Sequence, residues 1–286
     1  MGITIRAFAK INWSLGVTGI REDGYHQLDM LMQPLALCDE MTFENSRWLK
    51  LTVEGQSLPV GGRNLVMRAA QALNDALGMQ KGAVIRLRKA IPARAGLGGG
   101  SADCAAALVA LNRLWNLRLP MSTLTRIGAT LGADVPFCLT GGLARVTGVG
   151  DVIEPMEGAP SLPVVLVTPG SGLSTPAVFQ RYDAMQRGFD APDNRALADS
   201  LRAGDLRTAQ TLSRNALEAP ATELMPQVGS FLQWFAAQGA PYVRMSGSGS
   251  TVFAAFQTEE EARSVAEKVP GAVLTRTGER GWAFDE

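Results

Sequence analysis

Histidine is nearly absent: His26 is the only one in 286 residues. No cluster of histidine, cysteine and carboxylate has metal-ligand spacing, so no metal centre is expected. A lone histidine reads by default as a structural hydrogen-bonding group. Cysteine is scarce too. Cys38, Cys104 and Cys138 are odd in number, widely spaced and without a C-x-x-C pair, which points to free buried thiols in a reducing compartment rather than a disulfide framework. Neither sign of charge is in excess, with 27 basic and 27 acidic residues, so there is no electrostatic case for nucleic acid or an anionic membrane. The apolar run at residues 163–167 is strand-sized and far too short to span a bilayer. Residues 1–13 hold no leader-like apolar segment, so a cytoplasmic location is expected. Internal repeats are missing as well. Hydrophobic residues make up 46% of the chain and charged ones 19%, enough for a substantial core in one large domain or two ordinary ones.

Glycine is plentiful and, in one place, crowded. Gly96, Gly98, Gly99 and Gly100 leave almost no side chain in the stretch Pro92-Ala93-Arg94-Ala95-Gly96-Leu97-Gly98-Gly99-Gly100-Ser101-Ala102-Asp103. Upstream, residues 83–88 alternate apolar and basic, the pattern of a half-buried strand. Downstream, residues 102–114 are rich in Ala and Leu, with Ser101 a candidate N-cap and Asp103 in the first turn. A glycine loop between a strand and a helix N-terminus exposes free N–H groups and the positive dipole end, and its natural guest is a phosphate. A turn that is glycine-rich for packing alone needs fewer glycines. The loop is not a Walker A motif, since no Gly-Lys-Ser/Thr follows at the required spacing. It is not a Rossmann fingerprint either, because Ser101 stands where the third glycine belongs. No His-Arg-Asp or Asp-Phe-Gly of a protein kinase follows.

Elsewhere the pattern is α+β. Residues 3–17 read as a strand carrying Lys10, which taken alone is an edge or solvated lysine. A polar turn at residues 19–26 ends in Tyr25-His26, and residues 28–35, 40–44 and 48–53 read as three further strands in an antiparallel run. Residues 65–77 form an amphipathic helix between a candidate N-cap, Asn64, and a candidate C-cap, Gly78. A helix over residues 120–131 stops at Gly132, and Asp134, read alone, is a turn residue. Strands are expected at 141–146 and 164–167. Between them lies a Pro/Gly-rich crossing at 155–163, which divides the chain into residues 1–157 and 158–286. Thr175-Pro176 opens a helix. Residues 194–201, 206–217 and 224–237 are helical by spacing. Residues 242–245 lead into Ser246-Gly247-Ser248-Gly249-Ser250, a structured loop between strands, then a strand at 251–256, a helix at 259–268 and an edge strand at 272–276.

Three separated motifs carry a family resemblance. Pro92-x-x-x-Gly96-Leu97-Gly98-Gly99-Gly100-Ser101-Ala102 resembles the ATP loop of the GHMP kinases, which include galactokinase, homoserine kinase, mevalonate kinase and phosphomevalonate kinase. Ala9-Lys10-Ile11-Asn12 resembles the family's first motif, and Ser246-Gly247-Ser248-Gly249-Ser250 its third. Arg21-x-Asp23-Gly24-Tyr25-His26, Leu131-Gly132-Ala133-Asp134-Val135-Pro136 and, more weakly, Thr175-Pro176 are similar to the branch that phosphorylates a cytidine-diphosphate-linked methylerythritol in non-mevalonate isoprenoid synthesis.

The resemblance implies a two-domain α+β fold: an N-terminal domain like ribosomal protein S5 domain 2, then a ferredoxin-like C-terminal domain. It implies an ATP-dependent small-molecule kinase, monomeric or homodimeric, with Mg²⁺ held mainly by phosphate oxygens. Asp134 would be the general base and Lys10 would hold the hydroxyl and stabilise the transferring phosphoryl group. Pro92, Ala93, Arg94, Ala95, Gly96, Leu97, Gly98, Gly99, Gly100, Ser101 and Ala102 would wrap the ATP phosphates, with Asn64 near the adenosine. Asn12 would place the methylerythritol, Tyr25 and Phe179 would sandwich the cytosine, and His26 would bond its edge. Thr175 and Gly247 join the substrate contacts. Arg94 and Asp103 depart from the expected pattern: Arg94 either adds charge at the phosphates or points to solvent, and Asp103 is expected to cap its helix. Two alternatives stay open, a GHMP kinase of another small molecule such as homoserine or mevalonate, and a catalytically silent binding protein on the same scaffold.

Overall fold

A computed structural model describes residues 2–170, 172–186 and 188–285. Two very long strands, β1 (Ile3–Ile20) and β2 (His26–Ser46), pair antiparallel across the turn at residues 21–25. β3 (Lys50–Glu54) lies at the sheet edge, and α1 (Leu65–Leu77) crosses over to β4 (Gly82–Arg88), which runs parallel to β3 and antiparallel to the end of β2. The glycine loop then enters α2 (Gly99–Leu114), followed by α3 (Met121–Leu131), α4 (Val135–Thr140) and the hairpin of β5 (Leu143–Gly148) with β6 (Val152–Met156). β5 pairs with the first part of β2. After β7 (Pro163–Val167) come α5 (Thr175–Ala184), α6 (Asn194–Arg202), α7 (Leu206–Leu212), α8 (Glu218–Leu224) and α9 (Pro226–Ala237). β8 (Tyr242–Met245) and β9 (Val252–Ala255) flank the Ser/Gly loop, then α10 (Glu259–Ala266), β10 (Val273–Arg276) and β11 (Trp282–Phe284) complete the chain.

Two sheets result. One has seven strands in the order β11-β1-β2-β4-β3, with β5 and β6 branching from β2; the other has four in the order β10-β7-β9-β8. The architecture is α+β, as the sequence pattern suggests. A division at 157/158 leaves β11 in the second half of the sequence although it pairs with β1 in the first sheet. α2 is the hub of the first half, buried from Ala102 through Leu111. A helix apolar all round is one enclosed all round, and its alanines let the neighbouring elements come close.

Register irregularities in β1 decide which side chains reach the site. Ile5, Ala7, Leu15 and Val17 pack in the core around α2, whereas Ala9, Ile11 and Trp13 pack with Val164, Leu166, Tyr242 and Phe253 of the second half. The pairing of β1 with β2 slips between Phe8 and Lys10 and again between Asn12 and Ser14. The first irregularity offsets the pairing by two residues on β2 and the second by one residue on β1, and a strand bends and twists at such points. Between them the odd residues face the second half, and Lys10 and Asn12 face the two glycine loops.

Several expectations are corrected. Residues 28–35 and 40–44 belong to one strand of 21 residues, long enough to serve two different partners, β5 and β4, along one edge. β3 is parallel to its neighbour, not antiparallel, because α1 carries the chain back across the sheet. α2 starts at Gly99 with Gly98 as N-cap at φ +69, so Ser101 lies within the first turn and makes no cap. α5 begins one residue early, after Ser174. Residues 206–217 are not one helix: Leu15 N donates to Arg214 O at 2.8 Å and Ala216 N donates to Leu15 O at 2.8 Å, so β1 captures the backbone there and the helix breaks. α4, α8, β6 and β11 carry too few residues for periodicity to reveal.

Candidate active site

The two halves meet over a cleft of about 1200 Å³. Its floor is β1, one wall is the glycine loop with the head of α2, and the opposite wall is the start of α5 with the loop after β8. Lys10, Asn12, Tyr25, His26, Pro92, Ala93, Arg94, Ala95, Gly96, Gly98, Gly99, Gly100, Ser101, Asp134, Thr175, Phe179 and Gly247 all line it. Three residues named from the sequence do not. Leu97 and Ala102 are buried in the core. Asn64 caps α1 through Val66 N at 2.9 Å and donates to Pro59 O at 2.8 Å.

The glycines are required by close approach. A Cβ on Gly96 would stand 2.0 Å from Ser246 O, one on Gly98 2.8 Å from Lys10 Cγ, and one on Gly247 3.3 Å from Lys10 Nζ. Gly96, Gly98 and Gly247 have φ of +77, +69 and +58, the left-handed region that favours glycine. The two glycine loops are also laced together: Ser246 Oγ donates to Gly96 O at 2.9 Å, and Thr251 N donates to Ala95 O at 3.1 Å. Lys10 N donates to Leu97 O at 2.9 Å. The bend thus leaves the N–H groups of the first turn of α2, which have no partner within the helix, facing the cleft.

Lys10 and Asp134 converge at the head of that helix, with Lys10 Nζ 3.3 Å from Asp134 Oδ2. Lys10 is almost wholly buried and also donates to Asn12 Oδ1 at 2.6 Å, while the Asp134 side chain keeps 29% exposure toward the cleft. Asp134 is the residue ahead of α4, yet its side chain makes no cap bond, so its carboxylate is available for other work.

On the far side His26 stacks on Phe179, ring centroids 4.6 Å apart, and its Nε2 lies 2.7 Å from Asp183 Oδ1. One face of Phe179 is therefore already covered by His26, while Tyr25 stands 66% exposed at the rim. Thr175 Oγ1 shares a hydrogen bond of 2.7 Å with Ser248 Oγ, tying α5 to the Ser/Gly loop. Asp183 was missed from sequence, although it sits one helical turn beyond Phe179, the i,i+4 spacing at which side chains share a face.

A second cluster lies directly behind the loop. Lys89 bonds Asp39 and reaches Asp103 Oδ2 at 2.7 Å, and Asp39 Oδ1 accepts from Ala90 N and Ile91 N at 2.6 and 2.9 Å. Asp103 does not cap α2, as expected from its place in the chain; it turns inward to Lys89. Its Oδ1 has no partner, and burial, with Asp39 adding to it, pushes its carboxyl up to about 8 against the pull of Lys89. Lys89 is raised despite its burial, because the two carboxylates outweigh the loss of water. Neither Asp39 nor Lys89 gave a signal in the sequence, since they are 50 positions apart. Burial raises the thiol of Cys104 to about 12 and also raises that of Cys138 well above its ordinary value. All three cysteines are free, with Cys38 half-buried. Among the described residues no group of three or more His, Cys, Asp or Glu could hold a metal ion, and no helix is long and apolar enough to cross a membrane.

Comparison with known proteins follows the same lines. The N-terminal domain of the GHMP kinases matches residues 64–142, and their C-terminal domain matches residues 197–274. The 4-diphosphocytidyl-2-C-methyl-D-erythritol kinase of Pelotomaculum thermopropionicum is 43% identical over 94% of this chain and 94% of its own length. That of Paramagnetospirillum magneticum is 42% identical over 94% of each. A solved 4-(cytidine 5'-diphospho)-2C-methyl-D-erythritol kinase superimposes with a TM-score of 0.83 at 36% identity, covering 96% of this chain and 99% of that one. Homoserine kinase from Cytophaga hutchinsonii, at 18% identity and a TM-score of 0.75, shares the fold.

Proposed function

The chain belongs to the GHMP kinase family, and from that premise we propose that it transfers the γ-phosphoryl group of ATP to the 2-hydroxyl of 4-diphosphocytidyl-2-C-methyl-D-erythritol. The observation that carries the reading is the pairing of Lys10 with Asp134, 3.3 Å apart, at the glycine-cradled head of α2. Phosphoryl transfer asks a protein mainly for positioning and charge stabilisation, and this arrangement supplies both. Asp134 takes the proton of the acceptor hydroxyl. Lys10, oriented by Asn12, holds that hydroxyl and meets the charge that develops on the transferring group. Gly98, Gly99, Gly100 and Ser101 offer backbone N–H groups to the nucleotide phosphates.

A Cβ on Gly96 or Gly98 would collide with Ser246 O or the Lys10 side chain, so only glycine lets the loop be drawn tight enough to hold such an anion beside Lys10. Mg²⁺ fits the same place as an ion held by phosphate oxygens, because the cleft assembles no carboxylate cage of its own; when bound it neutralises charge on the phosphates. Tyr25, His26 and Phe179 form the aromatic end of the cleft, and a flat cytosine there gives that cluster a purpose that homoserine or mevalonate would not. Thr175 and Gly247 close the cavity from the second half. Free thiols and the use of ATP fit a cytoplasmic enzyme.

An ADP-release assay against a panel of cytidine-diphosphate methylerythritol, homoserine and mevalonate tests the reading. Turnover is expected with the cytidine compound. Turnover confined to homoserine or mevalonate would transfer the chain to another GHMP activity, and nucleotide binding without turnover on any acceptor would make it a silent binding protein.

A further inference from the structure

Lys10 and Arg94 are the two permanently charged cations among the described residues that line the cleft, and only one of them has a partner. Lys10 faces Asp134, and His26 faces Asp183. Arg94 is the remaining charged residue of the lining, and among the described residues its guanidinium has neither an ion pair nor a hydrogen bond. The proposed reaction brings a triphosphate and a diphosphate into this cleft, where Lys10 is already engaged by Asp134 and Asn12 and Arg94 is the cation left free to meet them.

The backbone at Arg94 adds a second, independent observation. Its φ is +55, in the left-handed region where a non-glycine residue is uncommon and strained. The loop is rich in glycine, so the residue that would relieve that strain is already the local habit. Arg94 is also pinned from the other half: Leu173 N donates to Arg94 O at 3.3 Å, and a Cβ on Gly172 would stand 2.7 Å from Arg94 Cβ. The segment that presents the guanidinium is thus held by the loop that leads into α5, on the wall opposite the glycine bend.

We propose that Arg94 is a phosphate-binding residue of this site, its guanidinium pairing with a phosphate group of a bound substrate beyond the reach of the Lys10–Asp134 pair. The inference rests on the reading that phosphate-bearing substrates occupy the cleft. The two sources of such a phosphate are the nucleotide triphosphate and the cytidine diphosphate, and planar guanidinium suits either by bidentate hydrogen bonding.

The test is calorimetric titration of the full chain with Mg-ATP and, separately, with cytidine diphosphate, for the wild type, Arg94→Gly and Arg94→Lys. Arg94→Gly relieves the positive φ, so its unfolding midpoint is expected to equal or exceed that of the wild type, and a loss of binding cannot be put down to misfolding. The expected result is a 10- to 100-fold weaker Kd for one of the two ligands, a shallower dependence of that Kd on salt, and partial rescue by Arg94→Lys. Loss on the ATP arm assigns the contact to the triphosphate, loss on the diphosphate arm to the cytidine substrate. Unchanged affinity for both in Arg94→Gly overturns the proposal and leaves the kinase reading intact. A wild type that binds neither ligand overturns both.

Discussion

Lys10 and Lys89 are a matched pair that does different work. Both are nearly water-free, both sit against the glycine loop, and both meet carboxylates, yet only one opens onto the cleft. Lys10 has a single carboxylate partner, Asp134, that keeps 29% of its side chain exposed, and an amide, Asn12, as its other contact. Lys89 is sealed between Asp39 and Asp103, whose side chains are 0% and 5% exposed. A cation that must meet a developing charge needs an approachable partner and capacity left over. One held between two buried acidic side chains has none to spare and acts instead as a bolt between β2, the end of β4 and the second turn of α2. On the proposed reading, the same side-chain chemistry serves as machinery at Lys10 and as framework at Lys89 according to access.

The comparison breaks most sharply at Asp134. Asp134→Asn is expected to lower kcat by about 10²- to 10⁴-fold, the usual worth of a general base, while Mg-ATP still binds by calorimetry. Retained turnover would remove Asp134 from the chemistry and with it the contrast. Next in size is Lys89→Met. Leaving the buried Asp39 carboxylate without its cation, and Asp103 without its partner, is expected to cost about 3–5 kcal/mol of stability, read from urea unfolding, whereas Lys10→Met is expected to cost less stability and nearly all activity. A small stability loss at Lys89 together with a large loss in kcat would reverse the assignment of the two lysines.

A pH experiment sharpens the framework side. The Asp103 carboxyl is raised to about 8 in the folded protein, above its unfolded value, so between about pH 4 and pH 8 the folded state holds a proton that the unfolded chain releases. Stability contributed through this group therefore falls as pH rises across that window. The wild type is expected to lose more of its urea midpoint between pH 5 and pH 8 than Asp103→Asn, and equal losses would show that Asp103 is ionised throughout. The smallest effect lies at the aromatic rim: Tyr25→Ala is expected to cost about 1–3 kcal/mol of binding to the cytidine substrate, the scale of one base–aromatic stack. It should appear in KM with kcat little changed; an unchanged KM would leave Tyr25 outside the site.

Much of the active side was legible before any coordinates. The glycine run between a strand and a helix announces a phosphate loop from local chemistry alone, and the Lys10, Asp134 and Ser/Gly motifs lie in short contiguous words. The framework side was not legible. Asp103 reads as a helix cap because first-turn acids usually are, and only the proximity of Lys89 turns it inward. Asp39 lies in mid-strand with nothing around it to mark a role. The capping chemistry of Asn64 was legible and is present, while Leu65 beside it, rather than Asn64, lines the cleft. Tyr25 and Phe179 were both expected to present open faces, and His26 covers one of them.

By itself the sequence determined what depends on neighbours in the chain: the amphipathic face of α1, the glycine bend that leaves helix N–H groups free, the absence of metal-ligand and disulfide spacing, and the α+β alternation. Tertiary structure alone decided the rest. Two register irregularities in β1 flank Lys10 and Asn12 where they face the glycine loops, β1 breaks a helix by capturing the backbone near Asn215, and the pairing of the cleft's charges leaves Arg94 without a partner. Those outcomes depend on register and burial, which arise only when distant segments come together, so no local pattern of residues encodes them.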